Sequence, residues 1–335
     1  MDGIEPRSMA GTVIVIVCAS LLSVVIISGN ILVVTAFFKY KNLQTITNSF
    51  LVSLAFADLL IGGVDLPFYI ALDIASQGIW FYGQTLCAFF VAINVCACTA
   101  SILHLCIISG DRYTAVVHPI TYPRRMTRKL CAILIGSAWC LSLGVAFLWI
   151  FHEKGGPSET NVGCMASLSA LFSIISSLVS FFIPAVIILI LYAKVFVTAR
   201  AHARRIQRGR MALSSSAGQE EMRIHRGGEA ATAANSSTTA SYSEYRAAKT
   251  IGLVVGAFLI CWLPFFTMNL VRPWCNETCD RIRYVFFWIS FLNSAMNPFI
   301  YAFTNSSFKV AFWKILRCLQ NRDRTPEVVS SESRL

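Results

Sequence analysis

Long apolar runs separated by short polar segments form the dominant pattern along the chain. Seven of these runs reach about 20 residues or more, the length that a helix needs to cross a bilayer. We call them spans one to seven, and they cover residues 11–38, 46–72, 83–110, 130–151, 167–193, 250–271 and 283–303. The pattern predicts an all-α membrane protein, a seven-transmembrane helix bundle.

The polar segments outside this bundle, which occupies residues 11–303, differ in character. Residues 1–10 are a short N-terminus. The loop at 201–249 begins as a basic helical extension and continues in Ser- and Ala-rich sequence, so we expect it to be largely disordered. Residues 304–318 alternate apolar and basic side chains at helical spacing, which predicts a short amphipathic helix, helix eight, on the inner membrane surface. Residues 319–335 form a tail.

Lysine and arginine are distributed unequally between the two ends of the spans. Of the 28 such residues, most lie in the loops after spans one, three and five or in the tail. The exceptions are Arg7, Lys154, Arg272, Arg281 and Arg283. Because basic loops stay on the cytoplasmic side, we expect an extracellular N-terminus and a cytoplasmic C-terminus.

The composition supports a membrane protein and excludes several other classes. Hydrophobic residues make up 56% of the chain and charged residues 13%, against about 25% charged residues in soluble domains. The net charge of +11 comes from short loops between apolar runs, so we expect no nucleic-acid partner. The cysteines show no zinc or haem spacing. The sequence has no nucleophile–base pair and no phosphate-binding loop, so we expect no enzymatic activity and no cofactor.

Short motifs of polar, aromatic and proline residues follow one another on the spans. They are Gly29-Asn30, Leu54-Ala55-Phe56-Ala57-Asp58, Asp111-Arg112-Tyr113, Trp139, Cys261-Trp262-Leu263-Pro264 and Asn297-Pro298-Phe299-Ile300-Tyr301. With these motifs in this order, the chain resembles the rhodopsin-like (class A) G-protein-coupled receptors. Segments that resemble monoamine receptors (β-adrenergic, D1-type dopamine, octopamine and trace-amine) are Cys96 to Leu103, Tyr245 to Thr250 and Phe258 to Phe266.

The resemblance implies a plasma-membrane receptor that binds a small extracellular agonist and activates a heterotrimeric G protein. The basic run Ala201 to Arg210 and the apolar Ile120 resemble receptors coupled to Gs, which raises cAMP. Receptor kinases and arrestin are further expected partners. The C-terminal sequence from Ser333 to Leu335 fits a PDZ groove that captures a terminal carboxylate.

The resemblance also implies a ligand pocket between the outer halves of the spans. Its floor is an aromatic cluster above Pro264, and the serines of span five occupy positions at which catecholamine receptors hold ring hydroxyls. Those serines have an alternative role, in which each hydroxyl bonds to a carbonyl of its own helix. The candidate ligand-binding residues are Asp65, Asn94, Ser176, Ser177, Ser180, Trp262, Phe265, Phe266, Asn269 and Phe291.

Asn94 departs from the monoamine-receptor pattern. Monoamine receptors carry an aspartate at this position of span three as the counter-ion for the ligand ammonium, whereas the asparagine amide is neutral. Three alternatives follow. The ligand is neutral, or an amine is held by another acid, or the receptor signals constitutively without an agonist.

Asp65 is the other acid that we favour. It lies seven residues after Asp58 on span two, nearly two helical turns, so both carboxylates should face the bundle interior. We expect Asn94 on the adjacent helix to lie at about the same height. We therefore predict that the ammonium site has moved from span three to span two, with Asp73 as a weaker alternative near the mouth. Alternatively, Asp65 only hydrogen-bonds to Asn94 or water and meets no ligand.

Two further sets of residues resemble family sites that act during signalling. A mid-membrane set of oxygen ligands resembles the sodium site that stabilises the inactive state: Asp58, Ser101, Asn293 and Asn297. An activation switch connects the pocket floor to the inner face, where we expect Arg112 to pair with Asp111 and Glu244 at rest. The residues of this switch are Ile102, Asp111, Arg112, Pro184, Tyr192, Glu244, Phe258 and Tyr301.

Covalent features complete the set of predictions. Asn276 lies in the outer glycosylation sequon, and Cys318 at the end of helix eight is a candidate palmitoylation site. The cysteine pairs predicted to form extracellular disulfides are Cys87 with Cys164 and Cys275 with Cys279.

Overall fold

The described part of the chain folds into helices. A computed structural model describes residues 9–71, 83–153, 170–217, 252–271, 274 and 277–322. Within these ranges the regular secondary structure is helical, and six helices are long and apolar enough to cross a membrane. The seventh span is formed by two shorter, consecutive helices. The predicted all-α, seven-helix architecture is confirmed, and the chain is a multi-pass membrane protein.

Four of the spans are continuous helices. Backbone groups inside a bilayer must find their hydrogen bonds within their own segment, which is why these apolar runs are helical. Span three begins just after Gly83, whose φ of 80° is a conformation that glycine adopts without strain. The four helices are Met9–Lys39 (span one), Gln84–Val117 (span three), Arg128–Glu153 (span four) and Gly252–Val271 (span six).

Spans two and five each contain a π-helical turn, which inserts one extra residue into the helix. In both spans a proline follows the turn by two residues: Pro67 follows Asp65, and Pro184 follows Phe182. Proline has no N–H to donate to the preceding turn, so the α-helical ladder is interrupted there. Span two comprises Ile46–Leu60, the π turn Ile61–Asp65 and Leu66–Ile70, and span five comprises Ala170–Ser177, the π turn Leu178–Phe182 and Ile183–Ala217.

The remaining helices lie at and beyond span seven and in the inner loops. Span seven consists of Glu277–Ser290 and Leu292–Thr304, which meet at Phe291. Helix eight covers Ser306–Arg322, and a short helix, Tyr122–Arg125, lies between spans three and four. Because span five continues to Ala217, the basic start of the following loop is helical; the rest of that loop lies outside the described residues.

Span three is the central helix of the bundle. It packs against spans two, four and five, while span one packs against spans two and seven. Spans one and seven approach closely at Gly29, where an added Cβ atom would lie 2.9 Å from Pro298 Cγ. The missing side chain of Gly29 therefore sets the distance between these two helices.

Interhelical hydrogen bonds connect the spans around the acids of span two. Asn30 Nδ2 donates to the carbonyl oxygen of Ser294 over 3.2 Å, which joins spans one and seven. Trp139 Nε1 donates to Ser53 Oγ over 3.0 Å, which joins spans four and two. In a membrane such bonds satisfy polar groups that would otherwise lie unpaired in hydrocarbon.

Candidate functional site

Asp65 and Asn94 lie in contact inside the outer half of the bundle. Asn94 Nδ2 donates to Asp65 Oδ2 over 3.2 Å. Asp65 is 0% exposed, and its other oxygen, Oδ1, has no hydrogen-bond partner among the described residues. The structure thus brings Asp65 and Asn94 together as predicted, and it leaves one oxygen of the Asp65 carboxylate available for a donor.

The π turn of span two determines the neighbour that each acid meets. Asp58 lies before the turn and accepts a hydrogen bond from Asn297 Nδ2 of span seven over 2.8 Å. Asp65 is the last residue of the turn and contacts Asn94 of span three. The extra residue rotates the helix after it, so the two buried carboxylates face different neighbouring helices although they lie on one span.

Aromatic side chains surround the Asp65 region. Tyr69 of span two lies 4.9 Å from Phe287 and 6.0 Å from Phe291 of span seven, measured between ring centroids. The rings of Phe68 and Phe90 stack at 4.2 Å and join spans two and three. Asp65 is fully buried in this part of the bundle, and a buried carboxylate attracts a cation more strongly than one in water.

A second aromatic cluster forms the predicted pocket floor. Trp262 and Phe266 lie 5.7 Å apart between centroids, and Phe181 of span five stacks on Phe266 at 4.6 Å. Phe265 lies 5.5 Å from Phe287. The floor is therefore continuous with the aromatic side chains around Asp65. Neither Phe181 nor Phe287 was predicted from the sequence; the position of Phe181 three residues before Pro184 was the available signal for it.

The serines of span five are bonded within their own helix. Ser176 Oγ and Ser177 Oγ both donate to the carbonyl oxygen of Ser173, over 3.1 and 2.7 Å. Ser173 Oγ in turn donates to the carbonyl oxygen of Asn269 over 3.2 Å and joins spans five and six. Ser180 lies in the π turn of span five. For Ser176 and Ser177 this geometry is the alternative role that the sequence analysis left open.

The residues predicted to transmit the signal pack together beneath this floor. Ile102, Phe258 and Trp262 are buried in one hydrophobic cluster, and the rings of Phe181 and Phe258 lie 5.6 Å apart. Cys106 Sγ lies 3.8 Å from the carbonyl oxygen of Pro184. A change in the floor can therefore reach spans three, five and six through direct contacts.

The mid-membrane residues present several oxygen atoms that lack hydrogen-bond donors. Asp58, Ser101, Asn293 and Asn297 are all buried, and each has one oxygen without a hydrogen-bond partner within the described ranges. Oxygen ligands of this kind suit a hard cation, so these residues fit a sodium ion. Such an ion would neutralise the Asp58 carboxylate. In the part of the chain that the structure describes, no cluster of three or more His, Cys, Asp or Glu residues forms another metal site.

At the inner face, Arg112 is held by a polar network. Its guanidinium forms an ion pair with Asp111 Oδ2 at 2.6 Å and also donates to Thr47 Oγ1. Asp111 accepts further hydrogen bonds from Thr47 Oγ1 at 2.8 Å and from the Tyr122 hydroxyl at 2.8 Å. Burial, with the nearby Asp111 carboxylate, raises the pKa of Tyr122, so its hydroxyl stays protonated and donates. Thr47 and Tyr122 were not named from the sequence, because only the fold brings them to Asp111.

The Tyr122→Phe variant should raise basal signalling several-fold. It removes the donor to Asp111 Oδ1, and a hydrogen bond to a charged group contributes about 1.5–3 kcal/mol when buried, less at this half-exposed site. Signalling per surface receptor is the measurement, with Tyr40→Phe as the control because it removes a phenolic hydroxyl outside this network. Unchanged basal signalling would show that Tyr122 does not help to hold Arg112.

The other predicted switch residues occupy separate positions at the inner face. Tyr301 is buried, and its ring lies 5.8 Å from that of Phe308 in helix eight. Tyr192 lies against Gly252 of span six, where an added Cβ atom would collide with its hydroxyl. Glu244 lies outside the described residues, so its pairing with Arg112 stays a prediction.

Several covalent features fall at the edge of the described chain. Cys87 and Cys279 each take part in a disulfide bond, and Cys318 is an exposed free cysteine. The expected disulfide partners, Cys164 and Cys275, the sequon at Asn276 and the C-terminal tail lie outside the described residues.

Comparison with known proteins gives one consistent family. The family model described as "7 transmembrane receptor (rhodopsin family)" matches residues 29–301. The chain is 36% identical to a D(5)-like dopamine receptor of Takifugu rubripes, with 95% of this chain and 69% of that protein aligned. It is 35% identical to the 5-hydroxytryptamine receptor 4 of Cavia porcellus, over 95% of this chain and 84% of that protein. It is 37% identical to a D(1)-like dopamine receptor of Oreochromis mossambicus, over 93% and 79%.

Proposed function

The chain belongs to the rhodopsin family of seven-transmembrane G-protein-coupled receptors, and from that premise we propose that it is a plasma-membrane receptor for a small extracellular amine. Its ligand carries an ammonium group that binds at Asp65 rather than on span three. The bound receptor activates a heterotrimeric G protein of the Gs type and raises cAMP. The similarity to dopamine and 5-hydroxytryptamine receptors supports an amine as the ligand class.

The half-satisfied carboxylate of Asp65 carries this proposal. An ionised carboxylate inside a membrane protein is costly unless it meets a cation or hydrogen-bond donors. Asn94 supplies a donor to only one of the two oxygens. None of the described basic side chains forms an ion pair with Asp65; the ion pair in these ranges joins Arg112 and Asp111. A ligand ammonium supplies both the missing charge and the missing donor.

Two features of the inner face support the choice of Gs. Ile120, in the loop after span three, is 91% exposed and available to a cytoplasmic partner. Span five continues as a helix to Ala217 and carries basic residues beyond the membrane. Both features match the Gs-coupled receptors that the sequence resembles.

A cAMP assay at graded receptor densities tests the proposal. Cells that express the receptor are exposed to a panel of aromatic and aliphatic primary amines, and cAMP is measured against surface density. We expect low basal cAMP and a rise with at least one amine. A signal proportional to receptor density, with no response to any amine, would instead support agonist-free signalling. A fall in cAMP that pertussis toxin prevents would exclude Gs.

A further inference from the structure

A groove lies on the lipid-facing side of the bundle, between the inner ends of spans three and five. It has a volume of about 360 Å³ and is lined by Tyr113, Val117, Ala193, Lys194, Val197 and Thr198. We propose that this groove binds the anionic headgroup of a phospholipid from the cytoplasmic leaflet. This site is separate from the ligand pocket and does not depend on the identity of the agonist.

The charge of the groove comes from one lysine. The Lys194 ammonium lies 5.8 Å from the centroid of the Tyr113 ring, so the aromatic face and the ammonium stabilise each other. Within the described ranges no carboxylate forms an ion pair with Lys194; the ion pair there joins Arg112 and Asp111. Thr198 lies one helical turn after Lys194 and places a hydroxyl on the same side of span five. The groove thus offers a cation and a hydroxyl donor to a phosphate.

The rest of the groove is apolar and faces outward. Val197 is 67% exposed although it lies on a membrane-spanning helix, so its side chain meets lipid. Val195 and Ala199 are buried against Val116 and Tyr113 and hold spans three and five together beneath the groove. Ile190 lies one helical turn before Lys194, nearer the bilayer centre, and is 52% exposed. An acyl chain can therefore lie against Ile190 while its headgroup remains at Lys194.

The depth of the groove fits the headgroup region of the inner leaflet. Tyr113 directly follows Arg112, at the inner end of span three, and the predicted orientation places this end at the cytoplasmic face. Anionic lipids are concentrated in that leaflet and attract basic side chains near its surface. A phospholipid headgroup therefore matches both the position and the charge of the site.

The test measures lipid binding to the purified full-length receptor in detergent. The probes are a short-chain phosphatidylinositol bisphosphate, the phosphatidylcholine with the same chains, and inorganic phosphate. Three variants are compared with the unaltered receptor. Lys194→Gln removes the charge, Val197→Trp fills the groove while retaining Lys194, and Lys309→Gln removes an exposed lysine from helix eight as the matched control.

We expect the anionic lipid to bind and to raise the thermal stability of the receptor, since a ligand that binds only the folded state stabilises it. Lys194→Gln should weaken binding about fivefold, the share of one basic residue near an acidic surface. Val197→Trp should weaken it as well, while Lys309→Gln leaves it unchanged.

Three outcomes overturn the proposal. Equal loss in the Lys194 and Lys309 variants shows diffuse attraction to the whole basic face. Displacement of the lipid by millimolar inorganic phosphate shows a site for a soluble anion. Unchanged binding in both groove variants shows that the lipid lies elsewhere.

Discussion

The Asp65→Asn variant should lose its response to an activating amine while it still reaches the cell surface. The substitution keeps the shape of the side chain and removes its charge, so the ligand ammonium would lie in the bundle without a counter-ion. Removing one partner of a buried ion pair costs about 3–5 kcal/mol, and each 1.4 kcal/mol is about a tenfold change in affinity. We therefore expect the potency in a cAMP assay to fall about 100-fold or more.

Three companion variants locate the charge. Asn94→Asp should retain or strengthen the response, because it places a second carboxylate at the position that contacts Asp65. The exchange Asp65→Asn with Asn94→Asp should restore part of the potency, since it preserves a carboxylate–amide pair in reversed order. Asp73→Asn, at the weaker alternative position, should have little effect. The idea would be falsified if Asp65→Asn left the potency of an activating amine unchanged.

The Gly252→Ala variant should raise basal signalling about fivefold or more. In the structure the Tyr192 side chain lies against the backbone of Gly252, and an added Cβ atom would collide with its hydroxyl. The colliding atoms belong to the end of the half-buried Tyr192 side chain, which can turn aside, so the cost lies at the lower end of the range for an extra methyl group in a core, about 1 kcal/mol. That cost falls on the arrangement in which the inner ends of spans five and six meet at Tyr192. The receptor should therefore shift toward states in which Tyr192 leaves Gly252 and approaches Arg112.

Gly256 provides the matched control for this prediction. It lies one helical turn further along span six, and an added Cβ atom there meets no other atom within 4 Å in the described structure. Both variants replace a helical glycine by alanine, so both gain the same intrinsic helix propensity. Basal cAMP at equal surface expression should rise for Gly252→Ala alone. Equal basal signalling in the two variants would show that the contact between Tyr192 and Gly252 does not restrain the receptor.

The seven spans were predictable from the sequence because a bilayer imposes a minimum apolar length on each helix. The interruptions of spans two, five and seven were harder to predict from the sequence. Pro67 and Pro184 each remove a backbone hydrogen bond and so favour a kink, but a proline does not predict the π turn that precedes it in spans two and five. The break of span seven at Phe291 had no sequence signal beyond the polar residues that follow it.

The sequence by itself determined the chemistry that the bundle contains: Asp58 and Asp65 on one helix, an asparagine at 94 and basic loops at one end of the bundle. Helical periodicity indicated that both acids point inward. Periodicity states which side of a helix a residue occupies and not which helix it meets, so it could not assign Asp58 to Asn297 and Asp65 to Asn94. It also could not bring Thr47 of span two and Tyr122 of the short helix between spans three and four to Asp111. Those contacts were decided only by the tertiary structure, because they join residues distant in the chain through the packing of whole helices.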